Sequence, residues 1–187
     1  MNNMDPNFSK FLEQFKKREN DNKTITHVIP TYGSYCIDQN NINEFYNYCV
    51  KEFFIKNKTY MCAEKVADIC PFIIDLDFKY KSNFNSRQYT RETIDDLNQL
   101  FLKTLDKIFE LDINKKEIWI FEKDNIRSCD KSGYKSKDGI HIVFPYIVVE
   151  PKIQYILRFK MISDPQVIEM FKSINTTNSI DDIFDIC

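Results

Sequence analysis

Glycine is scarce in this chain: among 187 residues there are 3, Gly33, Gly133 and Gly139, where average usage of about 7% predicts roughly 13. The scarcity excludes two common ways of holding a nucleotide. A GxGxxG dinucleotide fingerprint needs three closely spaced glycines, and a Walker loop needs GxxxxGK[ST]. Gly133 and Gly139 stand one residue too far apart for the latter, and Ile140 follows where a lysine belongs. Any nucleotide handled here is therefore held by side chains and metal, not by a backbone cradle. The 6 cysteines, Cys36, Cys49, Cys62, Cys70, Cys129 and Cys187, contain no CxxC pair. With His27 and His141 alone to help them they make a poor zinc site, and reduced thiols of an intracellular protein are expected. Long apolar runs are missing too. The best stretch, Ile140 to Val149, is too short for a membrane span and contains His141 and Pro145, and the N-terminal MNNMDPNFSK has no apolar signal region. A formal charge of −2 and a pI near 5.8 exclude a uniformly basic surface, so a polyanion has to be met by a local patch or by bound cations.

What is present is an ordinary core's worth of apolar residues, 43% of the chain, with no repeat, linker or charge block. Residues 1–187 therefore read as a single soluble α/β domain. Helical spacing of apolar residues predicts helices over 6–18, from a cap at Asn40 or Asn41 through Phe53, over Thr93 to Leu111, from Pro151 to Met161 and from Pro165 to Ile174. Strands are expected at Thr24 to Ile29, Ser34 to Ile37, Cys70 to Phe78, Glu117 to Glu122 and Ile140 to Val149, with 123–138 a polar loop. The ending, SIDDIFDIC, opens like a helix capped by Ser179 and stops on apolar residues, which reads as a C-terminal truncation.

Chemistry concentrates in three places. In PFIIDLDFKY, residues 71–80, strand alternation puts Phe72, Ile74, Leu76 and Phe78 on one face and Ile73, Asp75 and Asp77 on the other. Two carboxylates about 6 to 7 Å apart repel unless a cation lies between them, and Mg²⁺ takes such oxygens together with waters and phosphate oxygens. A bare Asp-x-Asp is equally the wet side of a half-exposed strand. In KDGIHIVFP, residues 137–145, His141 shares a face with Val143, opposite Ile140, Ile142 and Phe144. A histidine so placed either contacts a phosphate or serves in proton transfer, or is an ordinary hydrogen-bonded residue. Gly139 lets a ligand approach the backbone, and Lys135 and Lys137 either reach phosphates or are solvated. Near the end, Asp181 and Asp182 suit the first turn of a helix. Asp185 is harder to explain by capping and is a candidate third carboxylate for a two-metal site.

An apolar strand ending in Asp-x-Asp, a later Gly-Ile-His opening another strand and a hydrophobic-Asp pair further on resemble the catalytic signature of the archaeo-eukaryotic primase superfamily. The nearest likeness is to the N-terminal primase domain of poxvirus-type primase-helicases of nucleocytoplasmic large DNA viruses. TITHV, GSYCID and the Ala63 to Lys65 stretch agree with it, so the resemblance runs from about Thr24 to Cys187. It implies a primase-polymerase fold of α+β class, with an RRM-like antiparallel catalytic core packed beside an N-terminal α/β unit. It also implies nucleotidyl transfer from NTP or dNTP to a 3′-hydroxyl on a single-stranded DNA template. Asp75, Asp77 and Asp185 would hold two Mg²⁺ or Mn²⁺ ions, with Asp182 the alternative third acid. His141, Lys135, Lys137 and Gly139 would meet the triphosphate. Relatives continue into a superfamily 3 helicase, absent here, which implies a helicase domain or subunit as partner and a viral replication site in host cytoplasm. The alternatives are a truncated or inactive module that binds nucleic acid or a replication partner, and a nucleotide-sugar glycosyltransferase, which also uses Asp-x-Asp.

Overall fold

The computed structural model describes residues 4–112, 114, 116–131 and 133–185, so Cys187 of the cysteine set lies outside the described residues. The chain divides into two compact units between Ala67 and Asp68. In the first, α1 (Pro6–Phe15) starts where Asp5 accepts from the amides of Asn7 and Phe8 and Pro6 occupies the first turn. Its stripe of Phe8, Phe11 and Leu12 packs into a core with Ile29, Tyr35, Ile37 and Phe45. The strands β1 (His27–Ile29), β2 (Gly33–Tyr35) and β3 (Ala63–Glu64) form an antiparallel sheet in the order β2-β1-β3. Between the last two runs α2 (Ile42–Cys49), which continues as a π-helical turn over Val50–Ile55.

One buried group gives this unit a pH dependence. His27 is 2% exposed. Its Nδ1 lies 2.9 Å from Thr26 Oγ1, its ring packs 4.5 Å from Phe45, and its Nε2 has no hydrogen-bond partner. Burial lowers its pKa below the ordinary 6.5, with the charge of Glu64 opposing. The neutral ring is the folded form, so the unfolded chain binds the extra proton as pH falls below 6.5. Stability is flat above that value and declines as pH drops toward the depressed folded value. A melting temperature that is constant from about pH 8 to 7 and falls toward about pH 5 is expected, with a shallower fall in His27→Leu.

The second unit is built on β4 (Cys70–Tyr80) and β7 (Tyr134–Val149), long antiparallel partners. To them are added β5 (Trp119–Glu122), β6 (Arg127–Lys131) and the short β8 (Phe184–Asp185), in the order β5-β7-β4-β8 with β6 also on β7. The helices are α3 (Arg91–Phe109), α4 (Pro151–Ile162), α5 (Pro165–Lys172) and α6 (Ile180–Ile183). One sheet face is covered: Phe72, Ile74, Leu76, Phe78, Ile140, Ile142 and Phe144 pack with Leu97, Phe101 and Leu105 of α3, Leu157 of α4 and Phe171 of α5. Phe101 lies 5.6 Å from Phe72 and 6.4 Å from Phe144, ring centre to centre. Burying each such ring stabilises the unit by about 1.5 to 3 kcal/mol. Helices plus antiparallel strands make the class α+β.

Several boundaries differ from the expected ones. Helix α1 stops at Phe15, α3 runs two residues earlier than its apolar spacing indicates, and β1 starts at His27. The larger correction concerns 123–138, expected as a polar loop: it contains β6 and the first residues of β7, joined at Gly133, whose φ of +97° suits glycine. The reason is that its inward positions are polar. Ser136 and Asp138 are fully buried, with Ser136 Oγ donating to the Ser82 carbonyl at 2.6 Å and one carboxylate oxygen of Asp138 accepting from the Gly139 amide at 2.9 Å. Every described cysteine is a free thiol, and no described helix is long and apolar enough to cross a membrane.

Candidate active site

The uncovered face of the second sheet is ordered in rows, because residues paired across antiparallel strands share a face. Ile73, Val143 and Trp119 make one row. Asp185, Asp75, His141 and Phe121 make the next, followed by Asp77 with Gly139, and then by Lys79, Lys137 and Arg127. Successive rows are two strand rises, about 6.8 Å, apart. The sheet therefore keeps Asp75 and Asp77 on one face as strand parity requires, and strand pairing brings His141 and, from 110 positions along the chain, Asp185 directly beside Asp75.

Asp75, Asp77, Phe121, Lys123, Gly139 and His141 line a pocket on this face. His141 Nδ1 lies 2.9 Å from Asp75 Oδ1. That hydrogen bond raises the histidine's pKa, against partial burial and with help from the aspartate charge, so the imidazolium persists to higher pH than in a free ring. Gly139 is there for space: a Cβ on it would come 3.0 Å from Asp77 Oδ1, 3.1 Å from the Leu76 carbonyl and 3.2 Å from Lys123 Nζ. Lys137 and Lys135 lie further along β7, outside the pocket lining. Lys137 faces two more cations, and like charges opposite one another disfavour the sheet. Among the described residues none of the three has a carboxylate within ion-pair distance; Lys79 sits over the Tyr134 ring at 5.9 Å and acts on Asp182 by charge alone.

The two candidate third acids have separate places. Asp182 closes a cap with Ser179, each side chain meeting the other's group: Ser179 Oγ donates to its carboxylate at 2.7 Å and accepts from its amide at 3.2 Å. Asp185 is the one in register with Asp75. The segment that delivers it is tied down by residues the sequence reading did not single out. Asn178 donates to the Asp77 carbonyl at 2.7 Å and accepts from the Lys79 amide at 3.1 Å, while Arg158 of α4 donates to the Phe184 carbonyl at 2.7 Å. Also missed were Lys123 and Arg87. The Arg87 guanidinium bridges Glu122 at 2.5 Å, the Tyr89 hydroxyl at 2.9 Å, the Lys123 carbonyl and, at 3.9 Å, the buried Asp138. Only long-range contact reveals these. Among the described residues no three His, Cys, Asp or Glu side chains are gathered closely enough to enclose a metal ion.

An antiparallel sheet with paired acids and a histidine on its open face is the arrangement that the resemblance to the archaeo-eukaryotic primases implies, and residues 24–187 match a model of that class. The family is that of the C962R protein N-terminal AEP domain, and the chain belongs to it; its members are primase/polymerase-type nucleotidyltransferases. The chain is also similar to "Putative helicase L207/L206" of Acanthamoeba polyphaga mimivirus, with 27% identity over 172 residues, 91% of this chain and 18% of that protein. It thus spans under a fifth of that relative's length.

Proposed function

We propose that this domain transfers a nucleoside monophosphate from NTP or dNTP to a 3′-hydroxyl on a single-stranded DNA template. The observation that carries the reading is the row of Asp185, Asp75 and His141 with Asp77 in the next row, on the open face of the sheet. Their chemistry fits Mg²⁺ or Mn²⁺. These hard cations take carboxylate oxygens and complete their shells with water and substrate phosphate, so carboxylates on an accessible face suit them and a closed protein cage is not required. When bound, two such ions lower the pKa of the attacking hydroxyl and offset charge on the departing pyrophosphate.

The chain's own groups divide the remaining work. Asp75, Asp77 and Asp185 supply the oxygens. His141, whose charged form Asp75 favours, and Lys135 and Lys137 bind the triphosphate, and Gly139 leaves room for it beside Asp77. A helicase, fused or separate, is the proposed partner, supported by the viral relative's name; its assignment to superfamily 3 rests on the family resemblance alone. The test is incorporation of labelled NTP and dNTP on a single-stranded template with Mg²⁺ or Mn²⁺ and with chelator. Product that depends on both metal and template supports the reading; equal product with chelator sinks it. Gly139→Ala presses a Cβ against the Asp77 carboxylate and the Leu76 carbonyl, which must give by a few tenths of an ångström, and a fall of about tenfold in rate with a slightly lowered melting temperature is expected.

A further inference from the structure

We propose that Trp119 and Phe121 form a stacking platform for successive bases of a single-stranded polynucleotide laid along the β5 edge of the open face. β5 pairs with β7 on one side and ends the sheet on the other. Alternation packs Ile120 against the core and turns its two neighbours outward, where Trp119 is 45% and Phe121 54% exposed. Two large aromatic residues exposed on one strand face offer flat apolar faces on which a ligand can stack. The indole is held in place, its N–H donating to Glu117 at 2.6 Å, and the Phe121 ring lies 6.2 Å from that of His141.

The surroundings select the ligand. Their positions on β5 are one row, about 6.8 Å, apart, a spacing that an extended strand can follow base by base. A duplex, whose bases cover one another, offers no such faces. Beyond Phe121 the same face carries Lys123 and the row of Lys79, Lys137 and Arg127, the complement of phosphodiester charge. Aromatic faces plus cations grip a single strand without sequence preference. The inference deepens the proposed reading by naming where template or product is held. Binding is measured without metal or turnover, so it fails or stands apart from nucleotidyl transfer.

Trp119 is the single tryptophan of the chain, which makes its fluorescence a direct reporter. The full chain is titrated in chelator with oligothymidylate, with an oligoribouridylate, with duplex and with dTTP. Saturable quenching by a single strand is expected, with the deoxy and ribo arms showing which sugar is preferred, and little quenching by duplex or dTTP. Phe121→Ala weakens single-strand binding about tenfold and Phe121→Tyr restores it. Trp119→Ala weakens it similarly, read by anisotropy of a labelled oligonucleotide. The proposal is overturned if single strands leave the emission unchanged, if duplex or dTTP quenches as strongly, or if folded Phe121→Ala binds as the parent does.

Discussion

Asp77→Asn is expected to lower metal-dependent primer synthesis by at least ~10³-fold, since metal held by a carboxylate contributes several kcal/mol at the transition state and each 1.36 kcal/mol is tenfold in rate. The amide keeps the size of the side chain beside Gly139, so the melting temperature should not move. Asp75→Asn should fall as far, but it is the less clean variant because it also removes the anionic partner of His141. Calorimetric titration of Mg²⁺ or Mn²⁺ without nucleotide gives a second readout, in which both variants bind more weakly than the parent. Parent-level synthesis by Asp75→Asn and Asp77→Asn would falsify the assignment of these carboxylates. Metal binding that is lost in the variants, in a parent that makes no product, would instead favour a module that grips nucleic acid without turnover.

Part of this site was legible before any fold was known. Strand alternation in residues 71–80 is strong enough to place Asp75 and Asp77 together and opposite Phe72, Ile74, Leu76 and Phe78, and the same parity set His141 apart from Ile140 and Ile142. Periodicity fixes parity but not register, so the pairing of Asp75 with His141 and Asp185 is a tertiary fact. Asp185 sits in a two-residue strand, too short to have a period; it stood out in the sequence as a carboxylate that capping does not explain, and the resemblance to a family gave it a role, while Asp182 was readable as a first-turn acid of the helix that Ser179 caps. The stretch 123–138 was misread for a definite reason: Ser136 and Asp138 occupy inward positions that the pattern reserves for apolar side chains. Trp119 and Phe121 alternate visibly around Ile120, yet exposure, not pattern, gives them meaning. Of the scarce glycines, Gly33 and Gly133 have positive φ, while Gly139 is required only by the crowding of Asp77, Leu76 and Lys123.

The largest effect on stability should come from the buried charge behind the pocket. Asp138 is fully buried, and its Oδ2 has no hydrogen-bond partner; the charge facing it is the Arg87 guanidinium 3.9 Å away, itself 26% exposed. Arg87→Met leaves that carboxylate unpaired in the interior, and such a break costs about 3 kcal/mol or somewhat more. It also releases Glu122 and the Lys123 carbonyl, so the pocket wall between Phe121 and Lys123 loses its tether and primer synthesis should fall with stability. The sign of the second step separates charge from packing. Asp138→Asn keeps the hydrogen bond to the Gly139 amide through its side-chain oxygen but removes the buried charge, so in the Arg87→Met background it should be stabilising, whereas in the parent it should be destabilising or neutral. Urea unfolding of the four proteins gives the coupling directly. An Arg87→Met chain within about 1 kcal/mol of the parent, the upper range for exposed ion pairs, or an Asp138→Asn change that recovers nothing in that background, would show that the guanidinium serves hydrogen bonding at the surface and not the neutralisation of Asp138.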